Sequence, residues 1–204
     1  MVKVLFEVPN ETLIKRMGEL ANQRNRVMYR AANRAATTAK TTIAKETTKR
    51  YLTTRADINK SLKVRNASPG NTTAKLTYRG HHRNLYHYGN GAKRAVSPQK
   101  KISWEDGKPN VRVYKARVKT DSSFKPLGTR PKAFVQRMTR TNGVVGLFRR
   151  KSNDRRAKLE GLSAPSVPQV IGNRDTMKEA GNKAGEMYMK RMEKEIDNIL
   201  KGRA

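Results

Sequence analysis

The stretch RAANRAATTAKTTIAKETTKRY, residues 30–51, decides the fold. Read together with the residues just before it, it places Val27, Met28, Ala31, Ala32, Ala35, Ala36, Ala39 and Ile43 at three- and four-residue steps, the spacing of one helix face. The stripe is thin and mostly Ala. Small side chains let a second helix or a sheet come close, because interaxial distance follows side-chain size at the contact. The opposite face carries Arg24, Arg26, Arg30, Arg34, Lys40 and Lys45. The spacing predicts a long helix that ends near Tyr51. A shorter helical pattern precedes it, with Asn10 as N-cap and apolar residues at Leu13, Met17 and Leu20. Loose alternation over 2–8 predicts a short first strand.

The other end of the chain answers with a second amphipathic segment. Over 174–201, Met177, Ala180, Ala184, Met187, Tyr188, Met192, Ile196, Ile199 and Leu200 recur at helical steps, and Gly202 sits where a helix stops. Just ahead of it lies GLSAPSVPQVIGN, residues 161–173, without one Lys, Arg, Asp or Glu. Pro165 and Pro168 stiffen this strip and remove two N–H donors. Val167, Val170 and Ile171 suit an apolar groove, and an uncharged strip can be buried without desolvating an ion. It reads as a docking segment, against its own sheet or a neighbouring subunit. The plainer alternative is a connecting loop packed on its own core.

Between the two helices the pattern turns to strands. Residues 53–62 suit a short helix capped by Thr53 or Thr54. Leu62, Val64, Leu76 and Tyr78 alternate on either side of a Pro-Gly turn, as a hairpin requires. Residues 81–101 are rich in Gly, Asn and basic side chains and read as a long loop. ISW (102–104) pairs with VRVYKARVKT (111–120) across the turn-prone EDGKPN, and 132–138 pairs with 143–151. The expected class is α+β: an antiparallel sheet of about five or six short strands, packed by the long N-terminal and C-terminal helices. Residues 1–204 are expected as one domain. Its parts are a helical 1–56, a β-rich basic 57–151, a linker and neutral strip over 152–173, and the closing helix 174–204.

Charge is the largest anomaly. The 204 residues hold 46 Lys and Arg against 16 Asp and Glu, a formal net charge of +30. No acid occurs between Asp57 and Glu105, while ten basic residues do. A field of this size favours nucleic acid or an acidic protein surface. The bland alternative is a solvated surface that aids solubility. There is no cysteine, hence no disulfide and no thiolate metal site. No run nears the roughly 18 apolar residues of a membrane span. The N-terminus lacks a secretory h-region. These features point to a soluble protein made in the cytoplasm, with no membrane partner.

Catalytic chemistry finds little support. His81, His82 and His87 cluster and invite a metal reading, but no acid lies nearby in sequence and Arg79 and Arg83 repel a cation. Glu105 and Asp106 with Asp121 could hold a nuclease metal, yet EDGKPN explains the first two as turn residues. No phosphate-binding glycine loop or dinucleotide fingerprint is present. The expectation is no enzyme, no catalytic residue, no metal and no cofactor. No base-reading module is visible either, so contact with DNA would run through charge alone.

Three pieces in series resemble the phage minor tail protein Z family. RAANRAATTAKTTIAKETTKRY (30–51) followed by DINKSLKVRNASPGNTTAKL (57–76) is similar to that family's helix-then-hairpin opening. RPKAFVQRMTRTNGVVGLFRRK (130–151) resembles its central strand–turn–strand, and LSAPSVPQVIGN (162–173) its signature ahead of the closing helix. Ala164 stands where the family has Gly, and 81–125 has no counterpart. The resemblance implies a structural virion protein that completes the head-proximal end of the tail and joins it to the DNA-filled head. It implies a hexameric ring, neighbouring tail and neck proteins, and non-specific double-stranded DNA in the channel. Duplex DNA carries one charge per ~1.7 Å, so a layer ~42 Å thick holds about 25 phosphates, far fewer than the roughly +180 of six copies. Many basic residues must then face acidic neighbours or solvent. The expected DNA or inter-ring contacts are Arg79, Arg83, Lys93, Arg94, Lys100, Lys101, Arg149, Arg150, Lys151, Arg155 and Arg156. The expected docking residues are Pro165, Val167, Pro168, Val170 and Ile171. The alternative is a sequence-independent nucleic-acid-binding protein of ribosomal or nucleoid kind.

Overall fold

In the computed structural model, which describes residues 2–4, 23–89, 95–97, 104–105, 108–109, 114–128, 130–138 and 144–201, Val2–Val4 forms a first strand, β1, and Arg24–Arg50 the long helix α1. The segment proposed as the first helix, with its Asn10 cap, lies outside the described residues. Thr is a poor helix former, but in α1 the hydroxyls of Thr37, Thr38 and Thr41 each donate to the carbonyl four residues back, at 2.9, 3.2 and 3.0 Å. There follow a short helix α2 (Arg55–Ser61) and the strands β2 (Leu62–Arg65) and β3 (Lys75–Tyr78). Beyond these come β4 (Arg83–Asn84), a 3-10 turn over Leu85–His87, β5 (Val96–Ser97), β6 (Trp104–Glu105), β7 (Lys108–Pro109), β8 (Lys115–Ala116) and β9 (Lys125–Pro126). The chain goes on through β10 (Phe134–Met138), β11 (Val144–Arg150), β12 (Leu159–Gly161) and β13 (Ser163–Ala164), then a short helix α3 (Val167–Ile171). The last element is the long helix α4 (Arg174–Leu200). Asn173 caps α4, its Oδ1 accepting from the N–H groups of Asp175 (3.1 Å) and Thr176 (3.4 Å).

The chain divides into two compact units. The first comprises residues 1–47, 55–80 and 167–204; the second, 48–54 and 81–166.

In the first unit β3 is the central strand of a three-stranded antiparallel sheet, order β1-β3-β2, with Leu62 opposite Tyr78 and Val64 opposite Leu76. The sheet and both long helices share one core: Ala35, Ala36, Ala39 and Ile43 of α1, Leu76 and Tyr78 of β3, and Ala180 and Ala184 of α4. A second cluster joins Val27 and Ala31 to Met192 and Ile196. The start of α1 thus meets the end of α4, and the helices run antiparallel. Ala against Ala brings the backbones close, while Ile43, Ile58, Leu76, Ile171 and Ile196, each fully buried, contribute about 1.5–3 kcal/mol apiece.

The expected single sheet is corrected here. Among the described residues there are thirteen short strands in five small antiparallel sheets, and only the β1-β3-β2 sheet shares a core with the long helices. A separate core within the second unit consists of Leu52, Leu85, Tyr88, Ala95, Val96, Ala116, Ala133, Leu147 and Ala164. The hairpin of 62–78 and the pair β10–β11 form as the alternation predicts. Of the pairing of 102–104 with 111–120, residues 102–103 and 111–113 lie outside the described residues; what is described is an antiparallel pair inside the same stretch, Trp104 opposite Pro109 and Glu105 opposite Lys108, with Lys115 and Ala116 between β5 and β9. The stretch 81–101 is not simply a loop, since it contributes β4, the 3-10 turn and β5. Strands of two residues carry no readable period, so burial of Val96 and Ala116 decides their partners.

The neutral strip has a definite place. Val167, Pro168, Val170 and Ile171 are buried, Val167 and Ile171 as members of the first core, while Pro165 is half-buried and precedes α3. A Cβ on Gly80 would stand 3.2 Å from Pro168 Cδ, so the chain packs closely there. These apolar side chains are covered within this chain, beside its own sheet and long helices.

Tyr78 gives the first unit a pH signature. It is 0% exposed, its hydroxyl has no hydrogen-bond partner among the described residues, and burial pushes its pKa up to about 12. An unfolded Tyr ionises near 10. The raised value favours folding while the phenol stays neutral, so this contribution is complete below about pH 10. It is lost as pH climbs towards 12, on the order of 2–3 kcal/mol in all. Half-buried Tyr188 is raised by burial too and acts with the same sign. Denaturant titrations of the protein and of Tyr78→Phe at pH 9 and pH 11.5 isolate the Tyr78 part. The variant should lose less stability over that interval, and equal losses would remove the buried phenol as the cause.

Candidate functional site

The hairpin of β11 and β12 carries the densest group of free cations among the described residues. Its register puts Phe148 opposite Gly161, Arg149 opposite Glu160 and Arg150 opposite Leu159, and the Lys151 N–H donates to the Lys158 carbonyl at 3.1 Å. The sequence KSNDRRAK then turns on one acid. Asp154 Oδ1 accepts from the Arg156 N–H at 2.9 Å, the Asp154 carbonyl accepts from the Ala157 N–H at 3.1 Å, and Ser152 Oγ accepts from the Asp154 N–H at 3.4 Å. An Asp that bonds the backbone two residues on is the usual way to close such a turn.

With Asp154 engaged by the backbone, the cations around it stay open. Lys151, Arg155, Arg156 and Lys158 are all exposed, and none has a side-chain partner among the described residues. Arg149 and Arg150 are held differently. Arg149 pairs with Glu160 at 3.4 Å, an exposed contact of little energetic weight. Arg150 donates to the Ala157 carbonyl at 3.2 Å and lies over the Phe134 ring at 5.9 Å, so it braces the hairpin.

The structure therefore sorts the residues singled out from the sequence. Lys151, Arg155 and Arg156 stand together on the tip, with Arg149 and Arg150 at its base. Arg83 is exposed on β4 in the same unit, and Arg79 is exposed on the first unit, its N–H donating to the Ser61 carbonyl. Lys93, Arg94, Lys100 and Lys101 lie outside the described residues. Lys158 was missed. The signal for it is the near-symmetric K-SNDRRA-K, in which hairpin pairing brings the two lysine positions face to face.

The root of the hairpin is held by a side chain acting as a strand. Asn84 Oδ1 accepts from the N–H groups of Leu147 (2.8 Å) and Tyr86 (3.0 Å), while its Nδ2 donates to the Leu147 carbonyl at 2.9 Å. The amide thus copies a peptide group opposite Leu147. Gly146 makes room for it, since a Cβ there would stand 3.1 Å from Asn84 Nδ2 and 2.9 Å from the Phe148 ring. Asn84→Ala removes three hydrogen bonds at a part-buried point and should destabilise the second unit by about 2–4 kcal/mol. Equilibrium urea unfolding measures it; a loss below ~0.5 kcal/mol would mean that water replaces the amide freely.

Two of the three histidines also face carbonyls. His82 Nδ1 lies 3.2 Å from the Ala164 carbonyl, and His87 Nε2 bonds the Val145 carbonyl. A carbonyl only accepts, so those ring nitrogens carry the hydrogens. Among the described residues no three His, Asp or Glu side chains gather where they could share a metal ion. No described helix is long and apolar enough to cross a membrane.

Guanidinium forks and lysine ammonium groups on an open turn can engage phosphates or carboxylates. The described residues of the tip, 151–158, include no aromatic side chain for stacking, and their cations suit phosphate oxygens, contacts that carry no sequence information. No protein-family model, curated protein or solved structure matches the chain.

Proposed function

We propose that this chain is a structural protein of a phage tail and neck. It completes the head-proximal end of the tail and joins it to the DNA-filled head, as a ring around the DNA channel. It is not an enzyme, and its partners are copies of itself, neighbouring tail and neck proteins, and channel DNA held without sequence preference. The observation that carries this reading is the hairpin tip, where four exposed cations, without side-chain partners among the described residues, stand on a turn closed by a single acid. Support also comes from the series of segments that resembles the tail protein family. The helix of 24–50, the hairpin of 62–78, the strand pair of 134–150 and the closing helix follow one another in the family's order.

A second reading rests on the same tip. A sequence-independent nucleic-acid-binding protein would use those cations as a monomer. Native mass spectrometry and light scattering on nuclease-treated protein separate the two. The ring reading expects one discrete oligomer in the absence of nucleic acid. A monomer at all concentrations, with affinity for DNA that falls steeply with salt, would replace it with the second reading.

A further inference from the structure

A separate cationic feature lies on the first unit. Arg30, Asn33, Arg34 and Thr37 follow one another on one face of α1, and with Arg191 of α4 they line an open groove of about 440 Å³. Buried Glu195, its side chain 5% exposed, accepts from Arg30 Nη1 at 3.0 Å through one oxygen and from Arg191 Nη2 through the other. This carboxylate fixes two guanidinium groups, one from each helix, and its hydrogen bond raises the Arg30 pKa above the ordinary arginine value. Each of the two keeps further N–H donors. Arg34 is exposed and its guanidinium has no partner among the described residues. Three guanidinium charges against one carboxylate leave about two positive charges in excess.

The remaining lining residues narrow the ligand. Asn33 uses both ends of its amide on Ala67, donating from Nδ2 to the carbonyl at 3.0 Å and accepting from the N–H at 2.7 Å. The Thr37 hydroxyl donates to the Asn33 carbonyl at 2.9 Å. The donors left for a ligand are guanidinium N–H groups alone, and no apolar side chain lines the groove. Such a site gives nothing to a nucleobase or an apolar peptide. It suits an oxyanion with several acceptors, and an excess of two charges matches a doubly charged phosphoryl group better than one carboxylate.

We propose that the groove between α1 and α4, lined by Arg30, Arg34 and Arg191, binds a phosphate group. This holds whether or not the chain assembles into a ring, because it uses none of the tip residues. The probe is inorganic pyrophosphate, added to the full chain against sodium chloride at matched ionic strength. Thermal unfolding should rise by on the order of 5 °C at ~100 times the dissociation constant. By calorimetry Arg34→Gln should weaken binding about 10-fold or more, while Arg34→Lys, which keeps the charge and loses the fork, falls between. Arg34 is exposed and unpaired, so neither variant threatens the fold. Replacing Lys151, Arg155, Arg156 and Lys158 by Gln should leave the Arg34-dependent part of pyrophosphate binding in place. Equal affinity in Arg34→Gln, or an equal thermal shift from chloride, overturns the proposal. In the tip variant, a short DNA duplex that displaces pyrophosphate identifies the phosphate as a diester of a nucleic-acid backbone; a duplex that leaves it bound identifies a free phosphate.

Discussion

Exchanging Lys151, Arg155, Arg156 and Lys158 together for Gln is expected to lower affinity for duplex DNA on the order of 10³-fold at 0.1 M salt. Each phosphate neutralised by a cation releases about 0.9 counterion, so four lost contacts flatten the slope of log affinity against log salt by ~3–4. Fold stability should move little. The four side chains are exposed and without partners among the described residues, and substitutions of that kind stay within about 0.5 kcal/mol each. Fluorescence anisotropy on one duplex between 50 and 300 mM salt measures both affinity and slope. A second duplex of unrelated sequence should give the same curve if the four cations meet phosphates, because phosphate contacts carry no sequence information. Arg150→Gln alone should behave differently: it loses the Ala157 carbonyl and the Phe134 ring, so it loosens the hairpin rather than removing a free charge. An unchanged salt slope in the fourfold variant would mean that DNA is held elsewhere on this basic chain.

The second large effect belongs to the neutral strip. Ile171 is 0% exposed within the first core, beside residues of both long helices and β3. Ile171→Ala should cost about 2–5 kcal/mol through lost transfer energy and the cavity left behind. Ile171→Asp should cost more and unfold the first unit, because a carboxylate in that core has no cation to meet. Circular dichroism and thermal unfolding of the isolated chain decide the matter. If Ile171→Asp keeps its helical signal and melting temperature and loses only assembly, the strip docks on a neighbour. If the helices melt, the strip is core.

The two long helices and the hairpins of 62–78 and 134–150 were legible because each is governed by short-range rules. Helical spacing and alternation around a turn act within a few residues. The basic tip was legible in part. Its charges stand in one run, but which of them brace the hairpin depends on Phe134, Ala157 and Glu160. Asn84 showed no signal, since an amide that copies a peptide group opposite Leu147 acts across 63 residues.

By its residues alone this chain settled its class, its excess of positive charge, the extents of α1 and α4, and the absence of cysteine chemistry. Tertiary structure decided the rest: that the described strands build five small sheets instead of one, that Val167 and Ile171 of the strip enter the first core, and that Arg30 and Arg191 meet on a buried Glu195. The reason is one of range. Backbone sterics and side-chain period are written every few positions. The partner of a two-residue strand, or of an arginine 165 residues away, is chosen only when apolar surface is buried and every polar group beneath it must find an answer.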